Sequence, residues 1–226
     1  MSCYSAFRAN IQGTTGNANE SVLLRPAFGF MNYLAHIYLS FGDDELALGN
    51  FIADSIRGRK YKDYPERVGQ GILLHRAIDT FTDAHPTVRQ SSKRLHKNYS
   101  HYSRVIVDIF YDNFLAKNWH LYCKTPLDIY VESFYDLLED HYAILPDGTK
   151  RMMPYMIADN WIYNYSKMEG IGKVLNGMNR RTQNRSKMNF AILDLEKNYD
   201  AFEQEVTDFF EELVVFAKHK FISLND

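Results

Sequence analysis

The stretch Gly71-Ile-Leu-Leu-His75-Arg-Ala-Ile-Asp79-Thr-Phe-Thr-Asp83 decides how the rest of the chain is read. His75, Asp79 and Asp83 follow one another at intervals of four, a spacing that stacks side chains along one face of an α-helix. Ile72, Leu73, Leu74 and Ile78 put an apolar flank beside that face. An imidazole and two carboxylates therefore stand in line next to a core. Alone, such a stripe describes an ordinary solvated helix. Its weight comes from matching groups on other segments.

Composition agrees with a helical reading. A chain of 226 residues suits one domain with a sizeable core. Only 12 Gly and 6 Pro favour long helices over a turn-rich β protein. Aromatic residues make up 15%, so the helix interfaces are expected to be packed with rings. Cys3 and Cys123 show no zinc-type spacing and suit a reducing compartment, hence a cytoplasmic location. No apolar run approaches the length of a bilayer span. The net charge of −2 hides an asymmetry: residues 1–187 carry 23 Lys+Arg against 19 Asp+Glu, and residues 188–226 carry 3 against 9. Two basic clusters stand out, Arg57/Arg59/Lys60/Lys62 and Arg180/Arg181/Arg185/Lys187. They serve either solubility or an acidic partner.

Residues 1–30 are rich in Ser, Asn, Gly and Thr, lack helical periodicity and have no signal-peptide pattern, so they read as an extension ahead of a single helical domain over 31–226. Helices are expected over 32–41, carrying His36, and over 45–56, carrying Asp54, with Gly49 permitting close approach. The central helix opens at Pro65 and ends near His85-Pro86. A basic helix over 87–98 and a strongly apolar one over 103–122 follow, the latter holding Asp108 and Asp112 four apart. Further helices are expected over 125–145, with Pro146-Asp147-Gly148 as a stop, then over 152–165, 171–178 and 190–221. The fold class is all-α, a bundle of about seven to nine helices.

His36, Asp54, His75 with Asp79, and Asp108 with Asp112 arrive on separate helices, as in bundles whose metal sites are built from inward-facing side chains. Imidazole and carboxylate together suit Mn²⁺, Fe²⁺ or Mg²⁺ better than calcium or a structural zinc. Such an ion activates water and polarises a phosphoryl oxygen. A carboxylate amid the apolar residues around Asp108 needs a partner, because an unpaired buried charge costs several kcal/mol.

Met31-Asn-Tyr-Leu-Ala-His36, Gly49-Asn-Phe-Ile-Ala-Asp54, the Gly71–Asp79 segment with Thr82-Asp83, Asp108-Ile-Phe-Tyr-Asp112-Asn-Phe-Leu and Val174-Leu-Asn-Gly-Met178 resemble the acyl carrier protein phosphodiesterase family, a divergent branch of the HD phosphohydrolases. The resemblance implies hydrolysis of the phosphodiester joining 4′-phosphopantetheine to a carrier-protein serine, in fatty acid biosynthesis, with Mn²⁺ as the favoured metal. It implies metal ligands among His36, Asp54, His75, Asp79, Asp108 and Asp112, with Asp54, His75, Asp79 and Asp108 catalytic. Arg76 stands where the ordinary HD motif has Asp. It either neutralises charge on the phosphoryl oxygens or pairs with Asp79 or Asp83. The carrier protein is acidic, which gives Arg57, Arg59, Lys60, Lys62, Arg180, Arg181 and Arg185 a docking role. Two other readings stand beside this one. A phosphohydrolase of nucleotides or another small phosphodiester would act without any carrier protein. A non-catalytic helical binding protein would hold no metal and tolerate Asp54→Ala.

Overall fold

The computed structural model describes residues 32–224, so the extension expected over 1–30 lies outside the described residues. Every regular element among the described residues is helical. Helix α1 (Tyr33–Tyr38) is short, and α2 (Asp44–Ile52) follows a turn through Gly42. Asp43 caps α2 by accepting a hydrogen bond from the Leu46 amide at 2.9 Å, and Arg67 holds the same carboxylate at 2.6 Å. The helix then tightens into a 3₁₀ turn, Ala53–Ser55, so Asp54 lies beyond α2 and not in its last turn as expected.

The central helix α3 (Glu66–Ala84) runs for 19 residues between Pro65 and Pro86. Its contact with α2 is made through glycines. A Cβ on Gly49 would lie 2.0 Å from the Val68 carbonyl oxygen, and one on Gly71 would lie 2.3 Å from the Leu46 oxygen. Only hydrogen fits at either position, and the two backbones touch. This crossing brings Asn50, next to Gly49, against His75, one helical turn after Gly71.

Helices α4 (Pro86–Tyr99) and α5 (Ser103–Lys117) fold back on each other through a turn in which Ser100 takes φ 51°. Ile106, Val107, Phe110 and Phe114 place α5 in the centre of the core. Helices α6 (Leu127–Asp140), α7 (Asp147–Ala158), α8 (Trp161–Asn164), α9 (Met168–Arg181), α10 (Ala191–Lys197) and α11 (Tyr199–Ser223) wrap this centre. Eleven α-helices are thus present among the described residues, more than the seven to nine expected.

Three boundaries differ from those expected, and the last two account for the excess over nine. Pro146 does not stop a helix but caps the next one, since proline has no amide hydrogen to lose at a helix start. Asn160, at φ 46°, breaks the expected 152–165 helix. Asn198 splits the long C-terminal helix: its side-chain amide donates to the Asp194 carbonyl at 2.8 Å and competes with the backbone ladder. No helix among the described residues is long and apolar enough to cross a membrane.

Candidate metal centre

Three helices meet where α1, α2 and α3 pack together, and each supplies a polar side chain. His36 comes from α1, Asn50 from α2, and His75 with Asp79 from α3. The two imidazoles stack with ring centres 4.0 Å apart. Asn50 is fully buried and organises both. Its amide nitrogen donates to the His36 carbonyl oxygen at 2.7 Å and to Ser40 Oγ at 3.2 Å, which leaves Oδ1 facing the rings. That oxygen lies 2.7 Å from His36 Nδ1 and 3.2 Å from His75 Nδ1. An amide oxygen can only accept, so both Nδ1 atoms carry hydrogen. Each Nε2 is consequently directed away from Asn50, into the space on the other side of the rings.

That space is lined with carboxylate. His36 Nε2 lies 3.3 Å from Asp79 Oδ1, and His75 Nε2 lies 3.1 Å from Asp79 Oδ2 and 3.4 Å from Asp54 Oδ1. Both Nε2 atoms are buried without a hydrogen bond of acceptable geometry. A neutral imidazole whose Nδ1 is protonated points a lone pair at these carboxylates. Lone pair against carboxylate is repulsive, so the arrangement calls for a cation between them. Burial lowers the pKa of His75, but the adjacent Asp54 and Asp79 carboxylates outweigh it and lift the ring to about 9. Burial and the adjacent charge of His75 lower His36. Burial works to raise Asp79, and the two histidines overcome it and hold its carboxyl well below the usual range. One proton on His75 is thus one solution, and a divalent ion is the other. His36, His75 and Asp79 offer ligand atoms within 4.8 Å of one another. Two imidazole nitrogens and a carboxylate suit a borderline transition-metal ion, and the orphaned nitrogens show that the residues fit such a group.

The remaining sequence candidates divide. Asp54 joins the edge of the cluster through His75, its side chain 27% exposed. Asp108, half-buried on α5, has no hydrogen-bond or ion-pair partner among the described residues. Burial, then the fields of Asp79, Asp112, Asp83 and Asp54, raise its carboxyl well above the ordinary range. Asp112 is engaged by backbone amides. Its two oxygens accept the Leu34 and Ala35 amides at 2.9 and 3.0 Å, which caps α1 from a distant helix. Burial lifts it to about 7 against the pull of those amides.

Arg76 forms no ion pair with Asp79 or Asp83. Its guanidinium donates to the Ile56 and Gly58 carbonyl oxygens, both at 2.8 Å, and so pins the loop after Asp54. Asp83 pairs with Arg104 at 3.1 Å, and His85 caps α4. Arg57, Arg59, Lys60 and Lys62 are exposed on that pinned loop. Arg180 and Arg185 are exposed at the end of α9 and beyond it. Arg181 is closer in: the Tyr33 hydroxyl, buried and bonded to Met152 Sδ, feels both Asp54 and Arg181. Sequence reasoning missed Asn50, Ser40 and Tyr33. The only signal for Asn50 was its place beside a glycine that permits close helix approach.

The family model described as acyl carrier protein phosphodiesterase matches residues 31–213. The chain belongs to the acyl carrier protein phosphodiesterase family. Among its relatives, the acyl carrier protein phosphodiesterase of Enterobacter sp. strain 638 is 32% identical over 194 residues, covering 84% of this chain and 99% of that protein. That of Pectobacterium atrosepticum is 29% identical over 189 residues, covering 83% and 98%. That of Photorhabdus laumondii is 30% identical over 191 residues, covering 84% and 96%. No solved structure matches the chain significantly. Family membership carries the enzyme class with it, a phosphodiesterase, and the matched segment contains all the donors described above.

Proposed function

We propose that this phosphodiesterase removes 4′-phosphopantetheine from the serine of holo acyl carrier protein, leaving apo carrier protein, and that it uses a divalent ion, Mn²⁺ before Mg²⁺ or Fe²⁺. One observation carries the metal part of this reading: Asn50 turns two imidazoles so that both orphaned Nε2 atoms meet Asp79 in one place. The carrier-protein part rests on the family name.

His36, His75 and Asp79 would hold the ion, with Asp54 completing the set from its 3₁₀ turn. When bound, it would supply Lewis acidity to a phosphoryl oxygen and a more acidic water. Asn50 keeps both Nδ1 protons in place, so each ring presents a single nitrogen and a fixed orientation. Asp108 lies within the fields of Asp79 and Asp54, which help to hold its proton; a cation at the cluster would offset those fields, and its carboxylate would then accept the proton of the attacking water. Arg76 fixes the loop after Asp54 and so keeps that carboxylate turned toward His75. The exposed basic residues on the loop after Asp54 and at the end of α9 would favour an acidic protein substrate.

The test is mass spectrometry of holo carrier protein incubated with the chain and Mn²⁺, beside Asp54→Ala and a chelator control. Loss of the phosphopantetheine mass with the native chain alone is the expected result. An intact holo protein after incubation with folded, Mn²⁺-loaded enzyme would sink the assignment and favour a small phosphodiester substrate.

A further inference from the structure

A second basic surface lies beyond the two clusters seen in the sequence. Arg89, Lys93 and Lys97 recur at intervals of four on α4 and so share one face. The opposite face of α4, with Val88, Ser91, Leu95 and Tyr99, is buried in the core. Arg104, from the first turn of α5, closes the other side. Between them is a groove of ≈ 730 Å³, also lined by His96 and His101, in which Asp83 is the single carboxylate. Asp83 is already paired with Arg104. Lys93 and Lys97 are exposed and have no ion-pair or hydrogen-bond partner among the described residues. The groove therefore presents net positive charge in a concave setting, where low-dielectric walls strengthen the field.

Its position relates it to the metal centre. Asp83 follows Asp79 by one turn of α3, and Arg104 precedes Asp108 by one turn of α5. The rim of the groove thus begins about 6 Å along each helix from the proposed reacting groups. A protein substrate whose phosphodiester reached the cluster would have this groove within the reach of its surface.

We infer that the α4–α5 groove is the docking face for an acidic surface of the protein substrate, with Lys93 and Lys97 as its unpartnered contacts. This inference rests on the carrier-protein reading above. An acidic protein suits the groove better than a nucleic acid: no Phe, Tyr or Trp lines it for base stacking, and the whole chain carries a net charge of −2.

The experiment compares the native Mn²⁺-loaded chain with Lys93→Glu/Lys97→Glu in three measurements. These are kcat and KM for holo carrier protein at low and raised salt, Kd for apo carrier protein, and hydrolysis of bis(p-nitrophenyl) phosphate. KM and Kd are expected to rise roughly tenfold with kcat unchanged, and the salt dependence to become shallower. Hydrolysis of the small diester should not change. Native values of KM and Kd in the variant, with the salt dependence intact, would overturn the docking face, as would lysine-dependent binding of duplex DNA without binding of carrier protein. The two readings fail differently. A native chain that binds apo carrier through these lysines but leaves holo carrier intact would sink the hydrolase assignment and keep the docking face. Hydrolysis insensitive to both lysines would do the reverse.

Discussion

Two buried polar clusters sit in this bundle, and they are built on opposite terms. Where α4 meets α11, Glu205 accepts hydrogen bonds from Gln90, Ser91 and both terminal nitrogens of Arg94, at 2.5 to 2.9 Å. Tyr111 adds a contact to Ser91 at 2.8 Å, and the guanidinium lies over the Phe202 ring. None of these groups is left as a buried atom without a partner. Where α1, α2 and α3 meet, two stacked histidines face two carboxylates, and their Nε2 atoms remain without good hydrogen bonds. A saturated network joins helices and needs nothing further. A convergent, unsaturated one costs stability unless a proton or a metal ion satisfies it. The comparison shows why satisfaction, more than burial or charge, separates a structural polar cluster from a chemical one.

The largest effect should come from breaking the unsaturated cluster. His75→Ala is expected to weaken metal binding by more than about a hundredfold and to abolish measurable turnover, with the folded state retained. Metal content after dialysis and release of phosphopantetheine would check this. Full metal occupancy in the variant would remove His75 from the ligand set.

Breaking the saturated cluster should do the opposite. Glu205→Ala leaves Arg94 partly buried and unpaired, and is expected to cost roughly 2–4 kcal/mol of stability in denaturant unfolding. The kcat of the folded fraction should stay native. This cluster also carries a pH dependence. Burial raises the Glu205 carboxyl, but Arg94, Ser91 and Gln90 overcome that and hold it below its ordinary value. A lowered folded-state value means that its contribution is present above roughly pH 4–5 and is lost as the pH falls through the lowered value. Unfolding of Glu205→Gln should accordingly be flatter with pH in that acid range than unfolding of the native chain.

Asn50→Leu sharpens the comparison, since it removes the group that aims both imidazoles without touching a ligand. A loss of about 10- to 100-fold in metal affinity is expected. Asn50→Asp keeps an acceptor for both Nδ1 hydrogens and should fall between the two, read by titration calorimetry with Mn²⁺. The smallest effect is expected for Arg76→Gln, which gives up two hydrogen bonds to the loop after Asp54. Stability should drop by about 1 kcal/mol, and proteolysis should become faster within residues 56–64. Loss of turnover with unchanged loop protection would instead assign Arg76 to the phosphoryl group.

Much of this was legible from local pattern. The spacing of His75 and Asp79 put both on one helical face, and Gly49 marked a close approach before any neighbour was known. His36 and Asp54 were recognisable as candidates from the motifs around them. Their arrangement was not. Asp112 repeats the four-residue spacing of a ligand pair with Asp108, yet it caps a helix 78 residues earlier in the chain. Arg104 joins Arg89, Lys93 and Lys97 in the α4–α5 groove only after the chain turns back at Ser100.

The sequence by itself determined the all-α class, the helices that carry His36, His75 and Asp79, and the face that the last two share. These follow from helical periodicity, which acts over a few residues. The tertiary structure decided which atoms meet: that Asn50 accepts from both histidines, that Asp112 is spent on amides, and that Arg76 holds a loop. Those outcomes depend on how helices cross, and a crossing is set by contacts such as Gly71 against Leu46, 25 residues apart, which no local pattern contains.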